Sequence, residues 1–165
     1  MQEYRTRFGS ISDYDKGGVT IINDDPKNYV FSNVFEVAEK SAPYERVAVA
    51  MNFEYVIEAA RAEGTSPWFA CAHDEFVLSM DGEVEVHLIK PDQPLVDDEA
   101  EGAVEVGEMP DGKKMGRLVL GQGHQGLLPA GAAYRFHADK PACILIQTID
   151  GPVTVQKWAE ICQTD

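Results

Sequence analysis

The chain has 165 residues, 28 of them acidic and 14 basic, for a formal net charge of −14. That excess of carboxylates excludes the nucleic-acid and anionic-membrane surfaces that need clustered Lys and Arg, and the length suits one domain that buries its own core without disulfides or a structural metal. Cys71, Cys143 and Cys162 form an odd set without a C-x-x-C pair, no apolar run approaches the roughly 20 residues of a membrane span, and MQEYRTRFGS lacks a signal-peptide core, so a reducing cytoplasm is the expected setting.

The β-branched cluster Val19, Thr20, Ile21 and Ile22 predicts a short strand ahead of the turn Asn23-Asp24-Asp25-Pro26. Residues 30–39 fit a short helix, from the spacing of Val34, Val37 and Ala38, or an irregular strand, from Val30, Phe31 and Phe35. Residues 47–51 predict one strand and residues 55–60 another, because Gly64-Thr65-Ser66-Pro67 follows too soon for EAARAE to start a long helix. Residues 75–80 read as a strand, Asp81-Gly82 as a hairpin turn and residues 83–89 as the return strand. There Val84, Val86 and Leu88 alternate with Glu83, Glu85 and His87, which puts His87 on the polar face.

Residues 90–114 form an irregular excursion with Pro91, Pro94, Pro110 and the acidic Asp97, Asp98, Glu99 and Glu101, broken by a short strand at 103–106. Strands follow at 116–120 and 142–148. Between them Gly121 and Gly123 mark a turn, and residues 125–128 lead into Pro129-Ala130-Gly131. Gly151-Pro152 ends the last strand, and Val155, Trp158, Ala159 and Cys162 have the spacing of a short C-terminal helix or arm. Many short strands with Gly- and Pro-rich turns predict a single all-β barrel or jelly roll with its core at about residues 44–150, preceded by a short N-terminal extension.

Two stretches, Gly64 to Gly82 and Gly123 to Ala138, resemble the paired motifs of the cupin superfamily. Cupins join two closely spaced histidines, a glutamate and a closing glycine in the first motif, and glycine, Pro-x-Gly, histidine and often asparagine in the second. Here Glu75 and Gly82 match the first frame, and Gly123, Pro129 and Gly131 the second. The first pair of ligand positions holds Trp68 and Ala70, or Phe69 and Cys71 at the shorter spacing, while Tyr134 and Ala138 replace the second histidine and the asparagine. The resemblance implies a double-stranded β-helix spanning residues 1–165 that keeps the frame and has lost most of the ligands. An iron or manganese site needs several converging N and O donors, and a phenol such as Tyr134 is a strong ligand only after losing a proton of pKa about 10. His73, His124 and His137 lie near these motifs, so His73, Glu75, His124 and His137 form an alternative, displaced metal site. The plainer reading makes them polar residues at a barrel mouth or subunit contact.

The runs DPKNYVFSNVFEVAEKSAPYERVAVAM, EGTSPWFACAHDEFVLSMDGEVEVHL and GPVTVQKWAEIC are similar to the small subunit of two-component hydroquinone 1,2-dioxygenases, enzymes of 4-nitrophenol and hydroquinone breakdown. That resemblance implies a larger cupin-type partner carrying Fe(II), which cleaves hydroquinone with O2 to 4-hydroxymuconic semialdehyde within a heterotetramer. It implies no cofactor and no catalytic residue in this chain. Candidate pocket or interface residues are Trp68, Phe69, His73, Glu75, Tyr134, His137 and Trp158, of which the aromatics suit a core equally well. Two other readings stand beside the accessory subunit. One is a self-sufficient metal-dependent dioxygenase using the displaced site; the other is a metal-free barrel in which Trp68, Tyr134 and Glu75 line a small-molecule pocket.

Overall fold

The computed structural model describes residues 9–12, 23 and 33–157, and within them one helix precedes ten strands. The strand expected at residues 19–22, and Trp158 and Cys162 with the helix expected around them, lie outside the described residues. Helix α1 (Val34–Lys40) occupies the ambiguous segment. Asn33 Oδ1 caps it, accepting from the N–H groups of Phe35 at 3.0 Å and Glu36 at 3.4 Å, and Lys40 pairs with Glu36 one turn back. The helix lays Val37 against Val47, Val49 and Ala59.

The strands are β1 (Arg46–Met51), β2 (Tyr55–Thr65), β3 (Trp68–Cys71), β4 (Glu75–Ser79), β5 (Glu83–Pro91), β6 (Ala103–Gly107), β7 (Gly112–Gly121), β8 (Gln125–Leu128), β9 (Ala133–Ile149) and β10 (Thr154–Val155). EAARAE is strand because Val56, Ala60 and Ala62 bury one face at period two. The alternation of β5 is as expected, with Val84, Val86 and Leu88 buried. Thr154 and Val155 pair in parallel with Arg46 and Val47, so the segment expected to be helical begins as a strand.

The long strand β9 organises the sheet. One of its edges pairs with β2, from Tyr55 opposite Ile149 to Thr65 opposite His137, and then with β3, where Phe69 faces Tyr134. The other edge pairs with β4, from Phe76 opposite Gln147 to Ser79 opposite Ile144, and then with β5, from Glu85 opposite His137 to Ile89 opposite Ala133. Two curved halves therefore share it, β10-β1-β2-β9-β4-β8 and β6-β3-β9-β5-β7. Between the halves β9 passes through the exposed Asp139, Lys140 and Pro141, where a missing proline N–H is tolerated. Ala60, Val77, Leu128, Ile144 and Ile146 from one half join Phe69, Val84, Val86, Leu120 and Phe136 from the other in one buried cluster. This is the double-stranded β-helix that the motifs implied.

The turn at Asp81-Gly82 does not close a hairpin, contrary to the expectation from its sequence. β4 pairs with β8 and β9, and β5 with β7 and β9, so the turn carries the chain from one half to the other. Gly82 takes φ +67° there, and a Cβ on it would meet Ala142 Cβ at 2.8 Å. Gly123 and Gly131 share the left-handed conformation, at φ +79° and +73°. Backbone geometry thus accounts for the motif glycines without any ligand chemistry. The variant G82A is expected to lose about 1–3 kcal/mol in urea unfolding, from the backbone strain and the overlap with Ala142; an unchanged midpoint would show that the corner relaxes freely. No helix among the described residues is long and apolar enough to cross a membrane.

Candidate functional site

Five polar side chains from five strands meet in the interior. Arg46 opens β1, Glu58 lies in β2, Glu75 opens β4, Tyr134 lies in β9 and Thr154 opens β10. Arg46, Glu58, Glu75 and Tyr134 are 2 % exposed or less. Arg46 Nε donates to Glu58 Oε2 at 2.5 Å, Nη2 to Glu75 Oε1 at 2.8 Å and Nη1 to the Tyr134 phenol oxygen at 2.9 Å. The phenol in turn donates to Glu75 Oε2 at 2.5 Å, and Thr154 Oγ1 donates to Glu58 Oε1 at 2.6 Å. The ring of Phe69 lies 5.5 Å from the guanidinium and 5.8 Å from the Tyr134 ring.

Such a cluster is stable only when nearly every polar atom is answered, because each ion costs several kcal/mol to desolvate. Here all four carboxylate oxygens receive a donor, three of them charge-assisted or from a phenol. Burial opposes the charge on Arg46, but Tyr134, Glu58 and Glu75 outweigh it and hold the guanidinium well above its ordinary value. Burial pushes the Tyr134 phenol well up; Arg46 pulls against this and Glu75 adds to it. The phenol is therefore neutral, as its donation to Glu75 requires. Burial also raises Glu58 above the usual carboxylate value, against the pull of Arg46.

No family model and no curated protein matches the chain. Among solved structures it is similar to hydroquinone 1,2-dioxygenase from Sphingomonas sp. TTNP3 with 4-hydroxybenzoate bound, at 66% identity over 99% of both chains and a TM-score of 0.92. The chain belongs to the hydroquinone 1,2-dioxygenase family. It is also 54% identical, over 97% of both chains, to a chain of hydroquinone 1,2-dioxygenase PnpCD in complex with Cd2+ and 4-hydroxybenzonitrile, at a TM-score of 0.90. A different chain of PnpCD, from the complex with Fe3+, shares the fold alone: it is 12% identical, and the match covers 86% of this chain but 40% of that one, at a TM-score of 0.61.

The cupin frame implies a metal, and the residues of this chain do not fit one. Both oxygens of Glu75 are engaged, the Tyr134 phenol keeps its proton, and a guanidinium already stands among them. Phe69 has no donor atom. The thiol of Cys71, pushed up to about 11 by burial and by Glu75, donates to the Gly102 carbonyl at 3.2 Å. Among the described residues no group of three or more His, Cys, Asp or Glu side chains could hold an ion.

The displaced site is not assembled either. His73 Nδ1 bonds the Asp74 carbonyl at 2.9 Å and its Nε2 is buried without a partner. His124 Nδ1 accepts from the Gly121 N–H at 3.1 Å in the turn between β7 and β8. His137 bonds Thr65 Oγ1 at 2.8 Å and Asp139 at 3.1 Å. Glu75 meets Arg46 and Tyr134 and none of these histidines. His87 pairs with Glu85 at 2.9 Å on the polar face of β5, where the sequence placed it.

Register settles the other ambiguity. Phe69 lies opposite Tyr134 and joins the interior cluster, while Trp68 points the other way, into a separate cluster with Ile89 and Ala133 under the Arg135 guanidinium at 4.9 Å. The ligand positions of the first motif are thus Phe69 and Cys71, and Trp68 and Ala70 are not among them. Sequence reasoning found Glu75, Tyr134 and Phe69 but missed Arg46, Glu58 and Thr154. A signal existed for Glu58, the charged member of the alternating face Val56, Glu58, Ala60, Ala62. The variant Y134F is expected to lose about 1–3 kcal/mol, because it leaves Glu75 Oε2 and Arg46 Nη1 short of a partner. Urea midpoints compare it with wild type, and equal stability would mean that water or a neighbour replaces the phenol.

On the outside of the barrel, Ile57, Gln147, Phe76 and Leu127 stand in one row across β2, β9, β4 and β8. The three hydrophobic members are 39 %, 49 % and 44 % exposed, and the row borders a groove of about 350 Å3 that also touches Leu78 and Leu145.

Proposed function

We propose that this chain is the small accessory subunit of a heteromeric Fe(II)-dependent hydroquinone 1,2-dioxygenase and holds no metal itself. The larger cupin-type subunit holds the Fe(II) and cleaves hydroquinone with O2 to 4-hydroxymuconic semialdehyde. The observation that carries this reading is Arg46: a side-chain cation occupies the point in the barrel where Glu75 and the second motif would otherwise converge on an ion. Two chains of one enzyme support the partner. This chain matches one chain of PnpCD end to end, and the Fe3+ complex of PnpCD has a second, longer chain of the same fold. The exposed row of Ile57, Phe76 and Leu127 also suits a chain that works against another protein surface. In this role the barrel contributes shape and excludes water beside the partner's site, where the phenolic substrate lies. The assembly is a cytoplasmic heterotetramer.

The pocket reading is disfavoured, because Trp68 lies in a cluster apart from Glu75 and Tyr134, which bond each other and Arg46. Purified alone, the chain is expected to carry no stoichiometric iron or manganese and to leave hydroquinone uncleaved. Mixed with the larger subunit and Fe(II), it should restore ring cleavage, followed by the absorbance of the semialdehyde. Stoichiometric metal that is lost in E75A or H73A, or ring cleavage by the isolated chain, overturns the proposal.

A further inference from the structure

The disagreement between frame and ligands has a structure of its own. Glu58 on β2, Glu75 on β4 and Tyr134 on β9 present oxygens from both halves of the barrel to one point, and the group at that point is a cation. We infer that the Arg46 guanidinium is the internal cation of this barrel, in the place of a metal ion, and that the Glu58 and Glu75 carboxylates become a divalent-cation site once it is removed, with the Tyr134 phenol still donating to Glu75. The inference rests on the metal-free reading above. Its chemistry follows from charge and donor type. One guanidinium faces two carboxylates, so a full second positive charge at the same point would match them better. Shortening Arg46 to alanine removes six heavy atoms and leaves a cavity walled by the Glu58 and Glu75 carboxylates, the Tyr134 phenol and the Phe69 ring, with Thr154 Oγ1 fixing the far side of Glu58 at 2.6 Å.

The class of ion is set by what lines that cavity. Carboxylate and water oxygens suit hard ions such as Mn2+ or Ca2+, which complete their shells with water and accept flexible carboxylate geometry. The soft donor nearby, Cys71 Sγ, is protonated and bonded to the Gly102 carbonyl, so a thiolate-seeking ion gains nothing. A methionine at residue 46 would refill the arginine stem with three of the six heavy atoms and leave open the space of Nη1 and Nη2, where Tyr134 and Glu75 converge.

The test is Mn2+ binding by the full-length chain, counted by equilibrium dialysis and the EPR signal of free Mn2+, with thermal melts alongside. R46A should bind about one Mn2+ per chain, and its Tm should rise by about 5–10 °C at millimolar Mn2+. Wild type should show neither effect, and R46A/E75Q should bind at least about tenfold more weakly than R46A. A folded R46A that ignores Mn2+, or an R46A/E75Q that binds as tightly, overturns the inference. If R46A is unfolded in metal-free buffer, Mn2+ must restore its native circular dichroism, and failure to do so overturns it equally. A metal-free wild type with a silent R46A defeats this inference alone, whereas stoichiometric metal in the wild-type chain defeats the accessory-subunit reading.

Discussion

R46M is expected to lose about 3–5 kcal/mol of folding stability, the cost of breaking a buried ion network from one side. Methionine keeps the length of the arginine stem, so the loss reports the guanidinium, its charge and its hydrogen bonds together. Arg46 gives hydrogen bonds to Glu58, Glu75 and Tyr134, and without it two buried carboxylates face each other with only Thr154 and the Tyr134 phenol as donors. For a chain of this length the Tm should fall by about 6–20 °C. The loss carries a pH signature whose sign can be worked out. Burial already raises Glu58 above its ordinary 4.5 in the wild-type fold, with Arg46 restraining the rise. A carboxyl with a raised folded pKa binds its proton more tightly folded than unfolded. Its contribution to stability is therefore complete below the ordinary value and is lost as pH rises through the folded value. Taking away Arg46 extends that window upward, so the gap between R46M and wild type should be smaller at pH 5 than at pH 8 in urea titrations. A gap independent of pH would show that the carboxylates do not cause it.

D81A should lose about 2–4 kcal/mol, from one buried and one part-buried backbone N–H left without a charged acceptor. Asp81 is 7 % exposed, and its carboxylate accepts from Cys143 N at 2.6 Å and from Ile11 N at 2.7 Å. It therefore ties the corner between β4 and β5 to β9 and to residues 9–12. D81N should lose less, because asparagine keeps one oxygen for one of the two donors. Hydrogen exchange gives an independent readout: the Cys143 amide should exchange faster in D81A, and unchanged protection there would mean that the amide finds another acceptor.

Local patterns were legible in the sequence because their cause is local. The alternation of Val84, Val86 and Leu88 against Glu83, Glu85 and His87 marks a strand with one buried face, and that face is buried. The motif glycines were also correctly read as frame, since a left-handed backbone at Gly82, Gly123 and Gly131 is a property of each turn. The crossing between halves at Asp81-Gly82 was not legible, since its sequence reads as a hairpin. A turn sequence specifies how sharply the chain bends, but whether the flanking strands pair depends on what else they can pair with, and here β4 and β5 take successive stretches of one edge of β9.

The site divides along the same line. Residue identity and motif spacing need no knowledge of strand pairing, so an acidic all-β chain of the cupin type, with Glu75 and Tyr134 at positions where a metal-holding barrel has ligands, could be read before any fold was known. Only the tertiary structure decided what those two residues do. Counting along β3 could not choose between Trp68 and Phe69, because alternate residues face opposite sides until register with Tyr134 selects one. Nor could it find the partner of Glu75: Arg46 lies 29 positions from Glu75 and 88 from Tyr134, and only closure of the two halves brings the guanidinium among the oxygens. A buried charge has to be answered by whatever the fold places beside it, and in this barrel that is an arginine.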